Sequence, residues 1–193
     1  MTPCPKAVFL DRDGVINRKV PDGTYVKCWE EFVFLPGVND ALRLIKRAGY
    51  RVIVVTNQRG IARRVMTEDA LHRIHTYMLT ELAQAGVQID ALYYCPHEAG
   101  QCRCRKPQTG LFWHAKRDFP DIDFGSSFLM GDSLSDMEAG AQLGCRNILI
   151  AEPRRAQSLL ATARACGIAI AGNAPSLCDA VIRYMSGNAP QQP

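Results

Sequence analysis

Near the start of the chain of 193 residues lies the segment Ala7-Val8-Phe9-Leu10-Asp11-Arg12-Asp13-Gly14. Its four consecutive apolar residues predict a short strand buried on both faces, as in parallel sheets. Two aspartates follow this strand directly, and the glycine after them permits a tight turn. If this strand belongs to a parallel α/β sheet, its carboxyl end, where the two aspartates stand, is the place to look for chemistry.

Beyond this stretch, strand and helix patterns alternate along the chain. Further buried strands are predicted at Arg51–Val55, Ile89–Tyr93, Ser127–Met130 and Asn147–Ile150. Helical spacing of apolar residues is found at Val38, Ala41, Leu42 and Ile45, and again at Leu71, Ile74, Met78 and Leu82 after a possible cap at Thr67. This alternation predicts a doubly wound parallel sheet between two layers of helices.

The chain length predicts a single domain over residues 1–185. A helix at Pro153–Cys166, an apolar run at Ile168–Ile170 and a helix at Ser176–Met185 would complete it. Residues 186–193 are polar and rich in proline and glutamine, and we expect them to be a disordered tail.

Composition narrows the class of protein. No apolar run approaches the roughly 18 residues of a membrane span, and the N-terminus lacks the pattern of a secretory signal, so we expect a cytoplasmic protein. The net charge of +4 is spread along the chain without a basic block. We therefore expect no nucleic acid or membrane partner, whereas an anionic small substrate suits the charge.

Carboxylate, hydroxyl and ammonium groups follow successive predicted strands. Asp11 and Asp13 can converge on one phosphorus atom, one as a nucleophile and the other in proton transfer. Asp132, after a later strand, could complete a magnesium site with Asp11 and the backbone carbonyl of Asp13. Thr56 and Lys106 supply a hydroxyl and a cation for the transferring oxygens. The set predicts phosphoryl transfer.

A second constellation lies just before Lys106. Cys95, His97, Cys102 and Cys104 offer three thiolates and one imidazole, which is a complete tetrahedral set for structural zinc. A loop held by zinc would position Lys106, and the adjacent Arg105 could contact substrate. We interpret the remaining cysteines as ordinary thiols, and we expect His72, His75 and His114 to lie on helix surfaces.

The order Asp11-Arg12-Asp13-Gly14, Thr56, Lys106 and Gly131-Asp132 with Asp136 resembles the four motifs of the haloacid dehalogenase superfamily of phosphohydrolases, over residues 7–150. The resemblance implies that Asp11 is the nucleophile and that Asp13 is first the general acid and then the base. It also implies that Thr56 and Lys106 stabilise the phosphoryl group, that Asp132 binds Mg²⁺, and that Asp136 supports the site without binding the metal. No inserted cap domain is expected, so the site should be open.

The cysteine and histidine loop resembles a zinc-containing branch of this superfamily, which includes heptose-bisphosphate phosphatases and histidinol-phosphate phosphatases. The stretches Val55–Arg63, Tyr93–His97 and Gly131–Met137 favour the heptose enzymes. The resemblance then implies removal of the C7 phosphate of D-glycero-D-manno-heptose 1,7-bisphosphate by a monomer, in nucleotide-activated heptose synthesis for lipopolysaccharide. The expected substrate contacts are Asn17, Lys19, Asn57, Gln58, Arg59 and Arg105.

Three alternatives remain open at this point. Only four residues separate His97 from Cys102, which is nearer to the histidinol-phosphate branch. A catalytically silent protein that binds phosphorylated sugars would belong to a different class, although the retention of Asp11, Asp13 and Asp132 speaks against it. Transfer of the phosphoryl group to a sugar in place of water is equally compatible with the motifs.

Overall fold

The computed structural model describes residues 6–21 and 23–185. Its elements are β1 (Ala7–Leu10), a short 3₁₀ helix (Trp29–Glu31), α1 (Val38–Arg47), β2 (Arg51–Asn57), α2 (Glu68–Gln84), β3 (Ala91–Cys95), α3 (Gly110–Asp118), β4 (Phe128–Gly131), α4 (Leu134–Leu143), β5 (Arg146–Ile150), α5 (Pro153–Ala165), β6 (Gly172–Ala174) and α6 (Leu177–Met185). The strands form one parallel sheet in the order β3-β2-β1-β4-β5-β6. The predicted doubly wound sheet is confirmed.

Both faces of the sheet are covered, as the apolar run of β1 predicted. Val8 and Leu10 point into one core, together with the buried faces of α1, α2 and α6. Ala7 and Phe9 point into a second core, together with α3, α4 and α5. Successive side chains of a strand alternate between its two faces, so a strand between two helix layers must be apolar at every position. The architecture therefore has three layers.

The central position of β1 determines where the site lies. Leu10 pairs with Val54 of β2 on one side and with Met130 of β4 on the other. The backbone N–H of Asp11 still donates to the carbonyl of Met130 at 3.1 Å, so the chain leaves the sheet only after Asp11. In this strand order the connections diverge on either side of β1 and β4, which opens a crevice at their carboxyl ends.

The observed strands differ from the predicted ones by at most two residues at their ends, and one predicted apolar run is not a strand. β3 begins at Ala91 and not at Ile89, because Asp90 pairs with the start of β2: its carboxylate accepts the N–H of Val52 at 2.7 Å. The apolar run Ile168–Ile170 has no regular secondary structure, and β6 follows it at Gly172–Ala174. The helix N-terminus predicted at Thr67 is confirmed, since its side chain accepts from Ala70 N at 3.1 Å.

The crevice is open above the sheet. Between Asp13 and α1, the described residues contain only the 3₁₀ helix and two isolated bridges, at Asp13–Asn17 and Asn17–Phe34.

Across residues 6–21 and 23–185, no helix combines the length and apolar character needed to cross a bilayer. The tail predicted at 186–193 lies outside the described residues.

Candidate active site

Asp11 lies at the bottom of the crevice, against the buried ammonium group of Lys106. Lys106 Nζ is 2.9 Å from Asp11 Oδ1 and 2.6 Å from Asp136 Oδ1, and it also donates to the carbonyl of Val55 at 2.6 Å. Burial alone would lower the pKa of Lys106, but the two carboxylates raise it above its ordinary value. Lys106 is therefore a fixed cation at the floor of the site.

The pKa of Asp11 is also raised above its ordinary value, to about 7. Burial is the largest cause, and the nearby carboxylates of Asp136, Asp132 and Asp13 raise this pKa further. Lys106 lowers it but does not offset them. A divalent cation among these acids would stabilise the ionised form of Asp11.

Asp13 is held by three donors. Arg12 Nη2 donates to both of its carboxylate oxygens, at 2.9 and 3.0 Å, while Asn17 Nδ2 and Gln58 Nε2 each donate to one oxygen at 2.9 Å. Burial by itself would raise the pKa of Asp13, but the charge of Arg12 and these hydrogen bonds lower it overall. Asp13 is thus an oriented carboxylate with a quarter of its side chain exposed to the crevice.

Gly14 allows the chain to turn directly after Asp13. Its φ of +89° lies in the left-handed region that residues with a Cβ avoid. A Cβ at this position would also stand 2.7 Å from Asp132 Oδ2. The glycine therefore permits both the turn and the close approach of Asp132 to the end of β1.

Asp132 follows β4 and is anchored by two basic residues. Its Oδ2 accepts from Lys19 Nζ at 2.8 Å and from Arg155 Nη1 at 2.9 Å, and Arg155 Nη2 donates to its backbone carbonyl at 2.9 Å. Sequence reasoning missed Arg155, which belongs to α5 and lies outside the motifs. Arg154 and Arg155 stand in the first turn of a helix, where two arginines usually face solvent. The sequence therefore contains no signal for this contact.

Three carboxylates satisfy the geometric requirement for a cation site. Oxygen atoms of Asp11, Asp132 and Asp136 all lie within 4.8 Å of one another. Asp136 also accepts from the backbone N–H and the hydroxyl of Ser133, at 3.1 and 2.5 Å, at the N-terminus of α4. Clustered carboxylate oxygens are ligands suited to Mg²⁺, so Asp11 and Asp132 fit the ion that the motifs predicted, and Asp136 stands beside them in the same cluster.

The end of β2 contributes three polar side chains with different surroundings. Thr56 is buried beside the crevice, and its hydroxyl accepts from Gln58 Nε2 at 2.9 Å. Asn57 forms a reciprocal pair with the backbone of Lys106, donating to its carbonyl at 3.0 Å and accepting its N–H at 3.1 Å. This pair joins the segment that contains Lys106 to the end of β2 and holds Lys106 at the site.

The expectation that His75 lies on a helix surface is wrong. Its side chain is buried, and its Nε2 lies 3.1 Å from Arg12 Nη1, whereas His72 and His114 are exposed. Burial, and then the charge of Arg12, lower the pKa of His75 to about 3. The signal was available, because position 75 falls on the apolar face defined by Leu71 and Met78.

Next to the catalytic crevice lies a second depression, which we call the outer hollow. It measures about 220 Å³, and its basic lining residues are Arg12, Lys19, Arg59 and Arg105. Arg59 Nε donates to the Tyr25 hydroxyl at 3.2 Å and Arg59 Nη1 to Glu98 at 3.3 Å, so it is held across the hollow. The catalytic crevice itself measures about 190 Å³ and shares Asp13, Lys19, Asn57 and Arg105 with the outer hollow.

The four predicted zinc ligands converge. The Sγ–Sγ distances among Cys95, Cys102 and Cys104 are 3.1–3.5 Å, and His97 Nδ1 is 3.6 and 3.4 Å from the sulfurs of Cys95 and Cys104. These are near the roughly 3.7 Å edge of a tetrahedron with Zn–S bonds of about 2.3 Å. Burial opposes ionisation of Cys102, but hydrogen bonds from Cys104 and from Arg105 N lower its pKa to about 6. The donor set fits a structural zinc ion.

Comparisons with known proteins agree with this geometry. A family model described as polynucleotide kinase 3 phosphatase matches residues 7–147. The D-glycero-beta-D-manno-heptose-1,7-bisphosphate 7-phosphatase of Escherichia coli O6:H1 is 45% identical over 143 residues, covering 70% of this chain and 73% of that one. The D-glycero-alpha-D-manno-heptose-1,7-bisphosphate 7-phosphatase of Burkholderia mallei is 42% identical over 168 residues, covering 83% of this chain and 87% of that one.

A solved structure extends the similarity to three dimensions. The D,D-heptose 1,7-bisphosphate phosphatase of B. bronchiseptica, complexed with magnesium and phosphate, superposes with a TM-score of 0.81 at 34% identity, covering 92% of this chain and 96% of that one. The sheet order, the carboxylate crevice and these relatives lead to the same conclusion. The chain belongs to the heptose-1,7-bisphosphate 7-phosphatase family of haloacid dehalogenase-like phosphatases.

Proposed function

We propose that this protein is a magnesium-dependent phosphatase that removes the C7 phosphate of D-glycero-D-manno-heptose 1,7-bisphosphate, in the synthesis of nucleotide-activated heptose. The observation that carries the proposal is the convergence of Asp11, Asp13, Thr56, Lys106 and Asp132 beside a cationic outer hollow. A substrate with two phosphates could place one on Asp11 and the other among the basic residues of the hollow. The two sites together suit a bisphosphate better than a monophosphate.

In the first chemical step, a carboxylate oxygen of Asp11 attacks phosphorus and the bond between phosphorus and the C7 oxygen breaks. Asp13 gives its proton to the departing oxygen, and Lys106 and Thr56 stabilise the charge on the transferring group. The low pKa of Asp13 describes the site before substrate binds. The incoming phosphate charge raises that pKa, so Asp13 can carry the proton that the leaving group needs.

In the second step, Asp13 takes a proton from water as the water oxygen attacks the phosphorus of the phospho-aspartate. The acyl phosphate bond breaks, inorganic phosphate leaves, and Asp11 is regenerated. Mg²⁺, held by Asp11, Asp132 and the carbonyl of Asp13, with Asp136 as a neighbour, would neutralise phosphate charge during both steps. A zinc ion held by Cys95, His97, Cys102 and Cys104 would have the structural role of keeping Lys106 in place.

The expected substrate contacts divide into two groups by their surroundings. We propose that Lys19, Arg59 and Arg105 contact the second phosphate, because they line the outer hollow. Asn17, Asn57 and Gln58 instead direct their amides to Asp13, Lys106 and Thr56. These three therefore act by orienting the catalytic groups.

The test compares kcat/KM, in the presence of Mg²⁺, for both anomers of the heptose bisphosphate and for histidinol phosphate. Both anomers are included because relatives are named for each of them. Histidinol phosphate tests whether the enzyme belongs to the histidinol-phosphate branch, which the short spacing between His97 and Cys102 favours. A 3′-phosphorylated oligonucleotide tests the substrate that the description of the matching family model suggests. We expect a preference of about a hundredfold, or about 2.7 kcal/mol, for a heptose bisphosphate. Equal or better turnover of either other substrate would overturn the substrate assignment.

A further inference from the structure

His75 and Arg12 form a buried polar pair that the proposed chemistry does not yet use. His75 is 5% exposed and Arg12 is 1% exposed. A buried charge and a buried imidazole are both unfavourable unless their polar atoms are paired. Neither residue lines the catalytic crevice. Their contact therefore needs an explanation other than direct contact with the phosphoryl group.

The contact defines the state of the imidazole. Arg12 Nη1 lies 3.1 Å from His75 Nε2, and a guanidinium can only donate. Nε2 must therefore be the acceptor, which requires the neutral ring with its proton on Nδ1. The lowered pKa of His75 agrees with this state, since burial and the adjacent positive charge both oppose protonation.

The guanidinium of Arg12 is anchored at two of its three nitrogens. Nη2 donates to both oxygens of Asp13, and Nη1 meets His75, while the side of the ion lies 5.8 Å from the centre of the Phe32 ring. Within the described residues, Arg12 Nε has no hydrogen-bond partner. Loss of the His75 acceptor would leave a second buried guanidinium nitrogen, Nη1, without a partner, and the planar ion would turn towards another acceptor.

We propose that His75 is a positioning residue: it accepts from Arg12 and thereby fixes the guanidinium that orients the Asp13 carboxylate for proton transfer. The proposal rests on the acid and base roles of Asp13 in the function proposed above. His75 does not touch Asp13, so its effect reaches the reaction only through Arg12. Removing it should impair steps that need an oriented Asp13 and spare steps that do not.

The leaving group provides the means to separate these steps. A sugar alkoxide must receive a proton as it departs, whereas p-nitrophenolate leaves without one. Single-turnover release of the alcohol from heptose 1,7-bisphosphate therefore depends on Asp13, and single-turnover release of p-nitrophenol from p-nitrophenyl phosphate depends on it much less. A general loss of folding would slow both reactions alike.

The variants are His75→Leu, which lacks an acceptor, His75→Asn, whose shorter amide falls short of Arg12, and His75→Gln, whose amide oxygen can replace Nε2. We expect His75→Leu and His75→Asn to slow alcohol release by about tenfold or more and p-nitrophenol release by less than about threefold, with KM little changed. His75→Gln should restore alcohol release to within about threefold of the wild type. The matched control is His72→Leu, one turn earlier on α2, which should behave as the wild type.

The outcomes distinguish this inference from the proposed function. Equal loss with both substrates, no loss, or no rescue by His75→Gln overturns the positioning role of His75. Because His75→Asn keeps a polar side chain, the comparison with His75→Gln stands even if His75→Leu does not fold. Full alcohol release by Asp13→Asn would instead overturn the role of Asp13 in the proposed function, and the inference would fall with it.

Discussion

At Asp11, three neighbouring carboxylates and one ammonium group act on a single buried side chain. Replacing this carboxylate by an amide removes the attacking oxygen and keeps the size of the side chain. We predict that Asp11→Asn lowers kcat by more than about a thousandfold while the thermal unfolding temperature stays near that of the wild type. Phosphate release and circular dichroism measure the two properties. Asp40→Asn, at an exposed position on α1, is the control, and substantial turnover by Asp11→Asn would refute the covalent mechanism.

His75 makes a separate prediction about stability and pH. Its pKa is about 3 in the folded protein and about 6.5 in an unfolded chain, so below pH 6.5 the unfolded state takes up a proton that the folded state does not. Stability from the neutral ring is therefore complete above pH 6.5 and is lost as the pH falls towards 3. We predict a loss of about 2 kcal/mol at pH 5 relative to pH 7.5 in the wild type that is absent in His75→Gln. Urea unfolding at several pH values measures it, and parallel curves for the two proteins would contradict it.

Among the elements, the loop that carries Cys95, His97, Cys102 and Cys104 connects β3 to Lys106. Cys102 Sγ accepts the N–H of Arg105 at 3.3 Å, and Asn57 holds the next peptide against β2. A loop fixed at both points needs little further ordering when substrate binds, which is the advantage that a structural metal would give here.

This arrangement predicts that Cys102→Ser lowers zinc content well below about one ion per chain and also lowers the thermal unfolding temperature. The reason is that a hydroxyl is a much weaker zinc ligand than a thiolate. Elemental analysis and calorimetry measure both properties. The control is Cys166→Ser, an exposed thiol at the end of α5. Unchanged zinc content in Cys102→Ser would rule out the proposed ligand set.

At the scale of the whole molecule, we predict that residues 1–185 fold as one cooperative domain. Within the described residues the last helix, α6, buries Leu177, Ala180, Val181 and Met185 in the core shared with α1. A chain ending at residue 185 should unfold at the same temperature as the full chain, whereas one ending at residue 175 should lose the cooperative transition. Calorimetry tests both truncations.

We also predict that the protein is a monomer. Light scattering should then give a mass of 21.4 kDa, and a dimer mass would contradict the prediction.

The three-layer fold could be predicted from the sequence, because an uninterrupted apolar strand such as Ala7–Leu10 can be buried only between two layers of helices. The sequence also predicted that Asp11, Asp13, Thr56, Lys106 and Asp132 meet, since parallel strands deliver the residues that follow them to one edge of the sheet, and all five line one crevice; their catalytic roles stay predictions. The cluster of Cys95, His97, Cys102 and Cys104 was predicted for a different reason: these residues lie within ten positions, so their spacing alone indicates a common metal site.

The side chains that support these groups became visible in the three-dimensional structure. Arg155 reaches Asp132 from α5, and His75 reaches Arg12 from α2, across 23 and 63 positions of sequence. Asn17 and Gln58 are residue types that often bind substrates, but in this fold their amides donate to Asp13. Such contacts depend on how helices and loops pack over the sheet, and a hydrogen bond between distant positions has no periodicity or local spacing by which a sequence could reveal it.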